Sequence, residues 1–275
     1  MEVAVTSIVS IVMSVYNGEQ YLAIAIESIL NQTFKDFEFI IINDGSTDNS
    51  LSIMQKYAQG DDRIILIDRK NLGLTKSLNE GIAIARGEFI ARMDADDISF
   101  PERLSEQVKF LTAHPEIDLI GCRAVVFSDN NKFIGFLPFA QDHIKLTSHP
   151  WNNIPLPHPT WIGRRDWFVR NIYRLPEVLR AEDQELLLRT YPYSQFACLD
   201  KVLLSYRQGS FNLKRTLLAR RGLLLAQIRI FFHRKQFVYA VLAILITVIK
   251  IGVDLMAAIP GCEQLFFLRM KKHVS

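Results

Sequence analysis

Cysteine is scarce in this chain of 275 residues. The three present, Cys122, Cys198 and Cys262, are far apart and show no Cys-x-x-Cys spacing, which excludes a disulfide framework and a cysteine-built zinc knuckle and favours a reducing compartment. No Gly-x-Gly-x-x-Gly run is present, so a dinucleotide-binding dehydrogenase has no fingerprint. Asn17-Gly18-Glu19, after the first apolar segment, likewise lacks the glycine-rich phosphate loop of a nucleotidyltransferase. With 13 glycines and 10 prolines there is no low-complexity bias, and collagen-like or disordered chains are excluded. No Lys or Arg precedes the first apolar segment, 8–15, and Ser10 and Ser14 interrupt it; it reads as a buried strand and not as a secretory leader.

What is present is material for a large core. Hydrophobic residues make up 49% of the chain and aromatic residues 11%, enough for one large domain or one domain with an appendage. The β-branched segment 8–15 is followed across 19–32 by Leu22, Ile26, Ile29 and Leu30 at helical spacing. The unit recurs as strand 37–43 with helix 50–57, strand 63–67 with helix 74–85, and strand 88–93. Successive βα units predict an α/β fold with a mainly parallel central sheet flanked by helices. Beyond Pro101 the expected elements are a helix over 102–111, strands near 118–127 and 133–136, an acidic helix over 181–189 and a closing strand near 202–207. The proline-interrupted segment 154–161 is expected to be a loop lining a cleft.

In sheets of this kind ligands sit beyond the carboxyl ends of the strands. The polar residues there are Ser14, Tyr16 and Asn17, then Asn43 to Ser46, then Asn71 to Gly73, then Asp94-Ala95-Asp96-Asp97. Two ionised carboxylates about 4 Å apart repel by about 4 kcal/mol at an effective dielectric of about 20, so the Asp94/Asp96 cluster suits a cation. Oxygen-only donors favour Mg²⁺ or Mn²⁺, which bridges protein carboxylates to a diphosphate and stabilises charge on a leaving group. Read alone, the same residues also suit a solvated turn capping the helix after Pro101. Asp44 is placed to accept a hydrogen bond from a nucleobase imide or a ribose hydroxyl, Tyr16 offers a stacking face, and Ser14 offers a small polar contact. Asp44-Gly45-Ser46-Thr47 is equally a turn and helix cap.

Taken together, segments 10–17, 41–48, 71–74, 87–97 and 101–104 resemble, in order and spacing, the family 2 glycosyltransferases of the GT-A fold, and the resemblance covers residues 8 to about 207. It implies transfer of one sugar from a nucleotide-sugar, with a UDP-sugar as the expected donor, to a glycan or lipid-linked acceptor in cell-surface polysaccharide biosynthesis. It also implies roles. Ser14, Tyr16 and Asn17 would contact the nucleotide and Asp44 would read uracil. Asn71 and Lys76 would belong to the segment closing over the nucleotide, and Asp94 and Asp96 would hold the ribose, the Mn²⁺ or Mg²⁺ and the diphosphate. Glu182-Asp183 matches the family's acidic pair, with Asp183 as the expected general base. His158 and Trp161 fall in the acceptor region, where Trp151, Trp161 and Trp167 are candidates for sugar stacking or, by the stronger prior, for core packing. Arg207 falls in a segment resembling the family's closing strand, where an arginine can face the diphosphate; ordinary surface pairing is the alternative.

The chemistry agrees with these roles. An inverting transfer needs one carboxylate to take the proton of the acceptor hydroxyl, whereas a retaining double displacement needs a second carboxylate that the sequence does not identify. Processive polysaccharide synthases of this family carry a Gln-x-x-Arg-Trp motif after the base and many membrane spans. Neither occurs here, so single-sugar transfer is expected. The alternative is a catalytically inactive, membrane-attached nucleotide-sugar-binding or scaffolding protein, against which the intact Asp44, Asp94, Asp96 and Asp183 argue.

A formal net charge of +3 conceals two unlike parts. Residues 1–206 hold 20 Lys plus Arg against 27 Asp plus Glu, a charge of −7, whereas residues 207–275 hold 12 against 2, a charge of +10. The tail begins with a basic amphipathic segment, 213–232, in which Leu213, Leu217, Leu224, Ile228 and Phe231 share a face. The apolar run 237–249 that follows is 13 residues long, about 20 Å as a helix against a hydrocarbon core of about 30 Å. Extending it to 236–259 puts Lys250 near the centre at a cost of roughly 2.5–3.5 kcal/mol. A helix lying on an anionic membrane surface, at the cytoplasmic face, is therefore expected in preference to a single span. No nucleic-acid partner is expected. The organisation read from the chain is a nucleotide-sugar-binding half (1–110), an acceptor-binding half (111–210) and a membrane-association region (211–275).

Overall fold

Strict alternation of apolar side chains decides the centre of the molecule. Ile11 and Met13 of β1 (Val9–Val15) and Phe39 and Ile41 of β2 (Phe37–Asp44) enter one hydrophobic core, whereas Val12, Ile40 and Ile42 enter a second core on the opposite face of the sheet. Both strands are therefore buried on both sides, as a parallel sheet covered by helices requires. The computed structural model describes residues 7–174, 180–262, 264–267 and 270. Its first half alternates β1, α1 (Leu22–Leu30), β2, α2 (Ser50–Gly60), β3 (Ile64–Arg69), α3 (Leu74–Ile84) and β4 (Phe89–Asp94). These four strands are parallel in the order β3-β2-β1-β4, so the strand order reverses at β1. That reversal opens a crevice at the carboxyl ends of β1 and β4.

The second half is more mixed. It contains β5 (Ile98–Ser99), α4 (Arg103–Ala113), β6 (Leu119–Ser128), β7 (Phe133–Phe136), α5 (His143–Leu146), a 3₁₀ turn at His158–Thr160, β8 (Ile162–Arg164), α6 (Arg165–Arg170), α7 (Glu182–Thr190) and β9 (Phe196–Gln208). The sheet continues from β4 through antiparallel β8 to β6, then to β9 parallel to β6 and β5 antiparallel to β9, with β7 beside β6. One sheet thus runs through both halves. The closing strand is longer than its sequence signal: β9 has 13 residues, and the polar Asp200-Lys201 interruption marks register shifts against Cys122–Ala124 and not a strand start. The segment 154–161 carries a 3₁₀ turn within the expected loop.

Two long helices follow, α8 (Leu213–His233) and α9 (Phe237–Ala257), with α10 (Gln264–Phe267) near the end of the described residues. The buried side of α8 is Ala226, Gln227, Ile230 and Phe231, not the leucine stripe from Leu213, and it closes on α7. Arg234 donates to the carbonyls of Leu188 (2.9 Å) and Arg189 (2.8 Å) near the end of α7. At the other end of α7, a Cβ at Gly222 would sit 2.6 Å from the Arg180 carbonyl oxygen, so only glycine lets α8 approach there. α9 is continuous through Lys250 and Asp254. Its buried residues are small or polar, Ala240, Ala243, Thr247, Asp254 and Ala257, and Arg220 holds Asp254 through two hydrogen bonds of 2.9 and 3.2 Å.

Candidate active site

The parallel register brings Ser14 level with Ile42 and Asp94, and Asp44 level with Arg69. Asp44 is buried. One of its oxygens accepts the Leu72 amide (2.8 Å) and pairs with the Arg69 guanidinium, and the other accepts the Gly73 amide (2.9 Å). Asp44 therefore shapes the turn at 70–73. Gly45, at φ +72°, permits this closeness, because a Cβ there would lie 2.4 Å from the Asn71 amide nitrogen. Arg69 in turn reaches Glu80 and Ser77 of α3, each at 2.7 Å.

Around Asp44 lies a shallow rim. Tyr16 is 56% exposed, Asn71 and Lys76 are exposed, and Ser14 is half-buried. Asn17 adopts φ +51° and binds the two loops together, its side-chain oxygen accepting the Thr47 amide (2.8 Å) while its own amide donates to Ser46 Oγ (3.1 Å).

The acidic turn after β4 leads into a cavity of about 410 Å³ whose lining includes Arg92, Asp94, His158, Glu182, Asp183 and Tyr206. Ser14, Tyr16, Asn17, Asp44, Asn71, Lys76, Asp96 and Arg207 are not among its lining residues. Arg92 is buried within β4 and donates from Nη1 to Asp94 Oδ1 at 2.7 Å. Asp96 reaches solvent, but partial desolvation by the surrounding turn, then the charge of neighbouring Asp94, pushes its carboxyl up to about 6. Asp97 is buried and accepts the Arg207 amide at 2.8 Å, while its other oxygen has no partner. Burial and both neighbouring carboxylates raise its pKa well above the usual range.

Across the cavity, Ala181 in the left-handed region turns the chain into α7 and sets Glu182 and Asp183 at its first turn. Acidic residues are favoured there by the helix dipole. Burial, then the charge of Asp183, pushes Glu182 up to about 7, and burial raises Asp183 as well. Hydrogen bonds from Gln184 and from its own backbone amide, and the positive charge of Arg92, limit the rise of Asp183. Gln184 also exchanges hydrogen bonds with the Ile154 backbone (3.0 and 3.1 Å), which fastens the proline-rich loop to α7.

Among the acceptor-side candidates one expectation changes. Trp161 is sealed at 0% exposure, its indole N–H donating to the Leu156 carbonyl (3.1 Å), so its ring packs the core and does not meet a sugar. Trp167 is also buried, bonded to Ser194 Oγ (2.8 Å). Arg207 is committed to scaffolding: its guanidinium donates to the Asp96 carbonyl (3.1 Å) and Asn131 Oδ1 (3.2 Å) and stacks 3.8 Å from the Tyr21 ring centroid. It fixes the acidic turn against β9. A second cavity, of about 500 Å³, lies on that side and includes Asp96, Arg180, Arg207 and Arg215.

Among the described residues no group of three or more His, Cys, Asp or Glu is placed to hold a metal ion alone. Mg²⁺ and Mn²⁺ sites of this kind use one or two carboxylates and complete their shell with substrate phosphates and water. The donor set fits that pattern, since Asp96 is exposed and the Asp94 side chain, though paired with Arg92, keeps 30% of its surface open.

Arg92, Tyr173 and Gln184 were not singled out from the sequence. For Arg92 a signal existed, namely a single cation inside the apolar strand 89–93.

Residues 10–170 match the family model for glycosyl transferase family 2. The chain belongs to that family. Among its relatives, it is 46% identical over 123 residues to the putative glycosyltransferase EpsE of Bacillus subtilis, a match covering 44% of each chain. To the O-antigen biosynthesis glycosyltransferase WbnJ of Escherichia coli it is 29% identical over 80% of this chain and 87% of WbnJ. Staphylococcus aureus TarS residues 1–349, solved with UDP-GlcNAc, superposes with a TM-score of 0.64 at 22% identity, covering 81% of this chain and 65% of that structure. The architecture of this family 2 member is thus the GT-A fold.

Proposed function

We propose that this chain is an inverting, metal-dependent glycosyltransferase that moves one sugar from a UDP-sugar to a glycan or lipid-linked acceptor in polysaccharide assembly. One observation carries the reading: Asp94 at the end of β4, Glu182-Asp183 at the start of α7 and Arg92 line the same cavity. The O-antigen setting of WbnJ supports the polysaccharide context, and the UDP-GlcNAc of TarS supports a UDP-sugar donor.

Asp183 is the base in this account. Its raised pKa makes it a stronger base than a free carboxylate, suited to accepting the acceptor hydroxyl proton as the oxygen attacks the anomeric carbon and the nucleoside diphosphate departs with its bonding electrons. Asp96, with Asp94, would hold Mn²⁺ or Mg²⁺ beside the diphosphate, where the ion neutralises leaving-group charge. Asp44 and the rim formed by Ser14, Tyr16, Asn17, Asn71 and Lys76 would receive the nucleoside. On the acceptor side His158 lines the cavity beside the proline-rich loop.

The tail supports a place on the cytoplasmic face of a membrane. Among the described residues α9 alone is long and apolar enough to cross one, with a mean hydropathy of 2.3. Its inner side is nevertheless bound to α8 through Asp254–Arg220 and to the body through Lys250–Asn152 (3.1 Å), while Val238, Val241, Leu245, Val248 and Ile249 face outward. This favours a helix lying in the interface over one that spans.

The test is nucleotide release from a panel of UDP-sugars, using membranes that contain lipid-linked acceptors, with Mn²⁺ and with chelator. Release from one UDP-sugar, lost on chelation, is expected. Tight UDP binding with no turnover on any acceptor would favour the non-catalytic alternative, and turnover indifferent to chelator would remove the metal from the scheme.

A further inference from the structure

The interior of the cleft wall contains a chain of polar groups that the proposed chemistry does not itself use. Arg92 donates from Nε to His158 Nε2 at 3.4 Å, while its Nη1 holds Asp94 and the Met93 carbonyl, each at 2.7 Å. His158 Nε2 also lies 2.6 Å from the Tyr173 hydroxyl. The Arg92 N–H makes Nε2 an acceptor, so the Tyr173 hydroxyl donates to it and the ring proton sits on Nδ1. Burial and the adjacent guanidinium hold His158 neutral, its pKa well below the usual imidazole value. Tyr173 is fixed from α3, because Asn79 exchanges hydrogen bonds with its backbone at 2.8 and 3.0 Å. The His158 ring is further held edge-on to Trp161, with centroids 4.6 Å apart.

A fully buried guanidinium is costly to desolvate, and one carboxylate contact at 2.7 Å would position it in only one direction. Here its other edge is set by a neutral imidazole that accepts and cannot repel. The charge so placed acts on both ends of the cavity: Arg92 pairs with Asp94 on the donor side and opposes the pKa rise of Glu182 and Asp183 on the acceptor side.

We infer that Arg92 is the shared counter-charge of the cleft, serving Asp94 and the Glu182-Asp183 pair together, and that His158 and Tyr173 are positioning residues which act through it. The inference rests on the proposed glycosyl transfer for its catalytic meaning, whereas the hydrogen-bond arrangement stands without it. Donor and acceptor carboxylates are then coupled through one cation. Loss of its support disturbs donor affinity and base ionisation together.

The experiment compares the full chain with His158→Leu, which removes the acceptor, and His158→Gln, which retains a side-chain acceptor, in UDP release from the UDP-sugar panel across pH. For His158→Leu the transfer rate should fall by about tenfold to a hundredfold, the scale expected when a reacting group is displaced by about 1 Å, and the donor KM should rise. The acid limb of its pH profile should move upward. The charged or titratable groups facing Asp183 are Glu182 on α7, Arg92 and Asp94 on β4, His158 and Tyr173 on the loops, and Tyr206 on β9; the variant removes the neutral His158 ring, and among the charged groups only the placement of Arg92 changes. His158→Gln should recover most of the rate and return the limb.

Equal impairment of both variants with an unmoved limb, or full activity of both per folded molecule, would overturn the inference. If the parent chain releases no nucleotide from any UDP-sugar, the proposed function fails, and ¹⁵N NMR of the histidine rings decides the positioning claim. A neutral His158 carrying its proton on Nδ1 down to about pH 5 supports it, whereas a ring titrating near the ordinary value of about 6.5 overturns it.

Discussion

Two carboxylates side by side at the start of α7 share one buried setting, and only one of them is needed as a base. Glu182 is held up at about 7 from its ordinary 4.5 by burial first and by Asp183 second. A folded state that favours the protonated form gains stability from that group in full below about 4.5 and loses it as pH rises through about 7. Ionised Glu182 therefore burdens the fold at alkaline pH. Thermal melts should show Glu182→Gln melting a few degrees above the parent at about pH 8, with the gap closing below about pH 4.5. A gap that stays constant with pH would contradict this assignment.

At the same scale, Asp94 was marked by its place beyond an apolar strand and Glu182-Asp183 by resemblance to the family's acidic pair; that they line one cavity emerges only in the fold. The Arg92–His158–Tyr173 arrangement was not legible, since its members lie far apart in sequence and meet only when β4 is backed by the 158–161 turn. The partners of Arg207 were hidden for a similar reason: Asn131 and the Tyr21 ring come from distant turns.

Among the elements, the four parallel strands and their helices follow from near-continuous apolar runs, such as those of β1 and β2, alternating with segments of helical spacing. β5 and β8, with two and three residues, are too short to carry a period, yet β8 links the two halves of the sheet. α9 shows what a hydropathy count leaves out. Lys250 and Asp254 look like interruptions in the sequence, but Lys250 turns toward the body and Asp254 toward α8, and the apolar residues left outside form a stripe. If that stripe rests on lipid, the chain should bind vesicles rich in anionic lipid, should lose part of that binding at high salt, and should be extracted from membranes by alkaline carbonate. Replacing Val241, Leu245 and Val248 with Gln should weaken binding at every salt concentration. Resistance to carbonate extraction would instead indicate a span, and equal binding to zwitterionic vesicles would remove the electrostatic part.

For the whole molecule, an acidic catalytic body joined to a basic tail is the arrangement expected of an enzyme whose donor is soluble and whose acceptor is held at a lipid surface. The tail is also part of the scaffold of the site. α8 holds α7 at both ends, through Gly222 beside Arg180 and through Arg234 on the Leu188 and Arg189 carbonyls, and α7 carries the acidic pair. The fold, the parallel half of the sheet and the acidic strand ends were readable from the chain alone. The tail's attachment to α7 was not, because it depends on a close approach that a lone glycine within a helix does not announce.

The central claim is that Asp183 takes the acceptor proton while the donor is bound elsewhere in the same cleft. The most direct measurement is sugar transfer and UDP affinity side by side in Asp183→Asn. The account predicts that transfer falls by about a hundredfold or more, the scale of a lost general base, while UDP binds as in the parent. Full transfer activity in Asp183→Asn would contradict it.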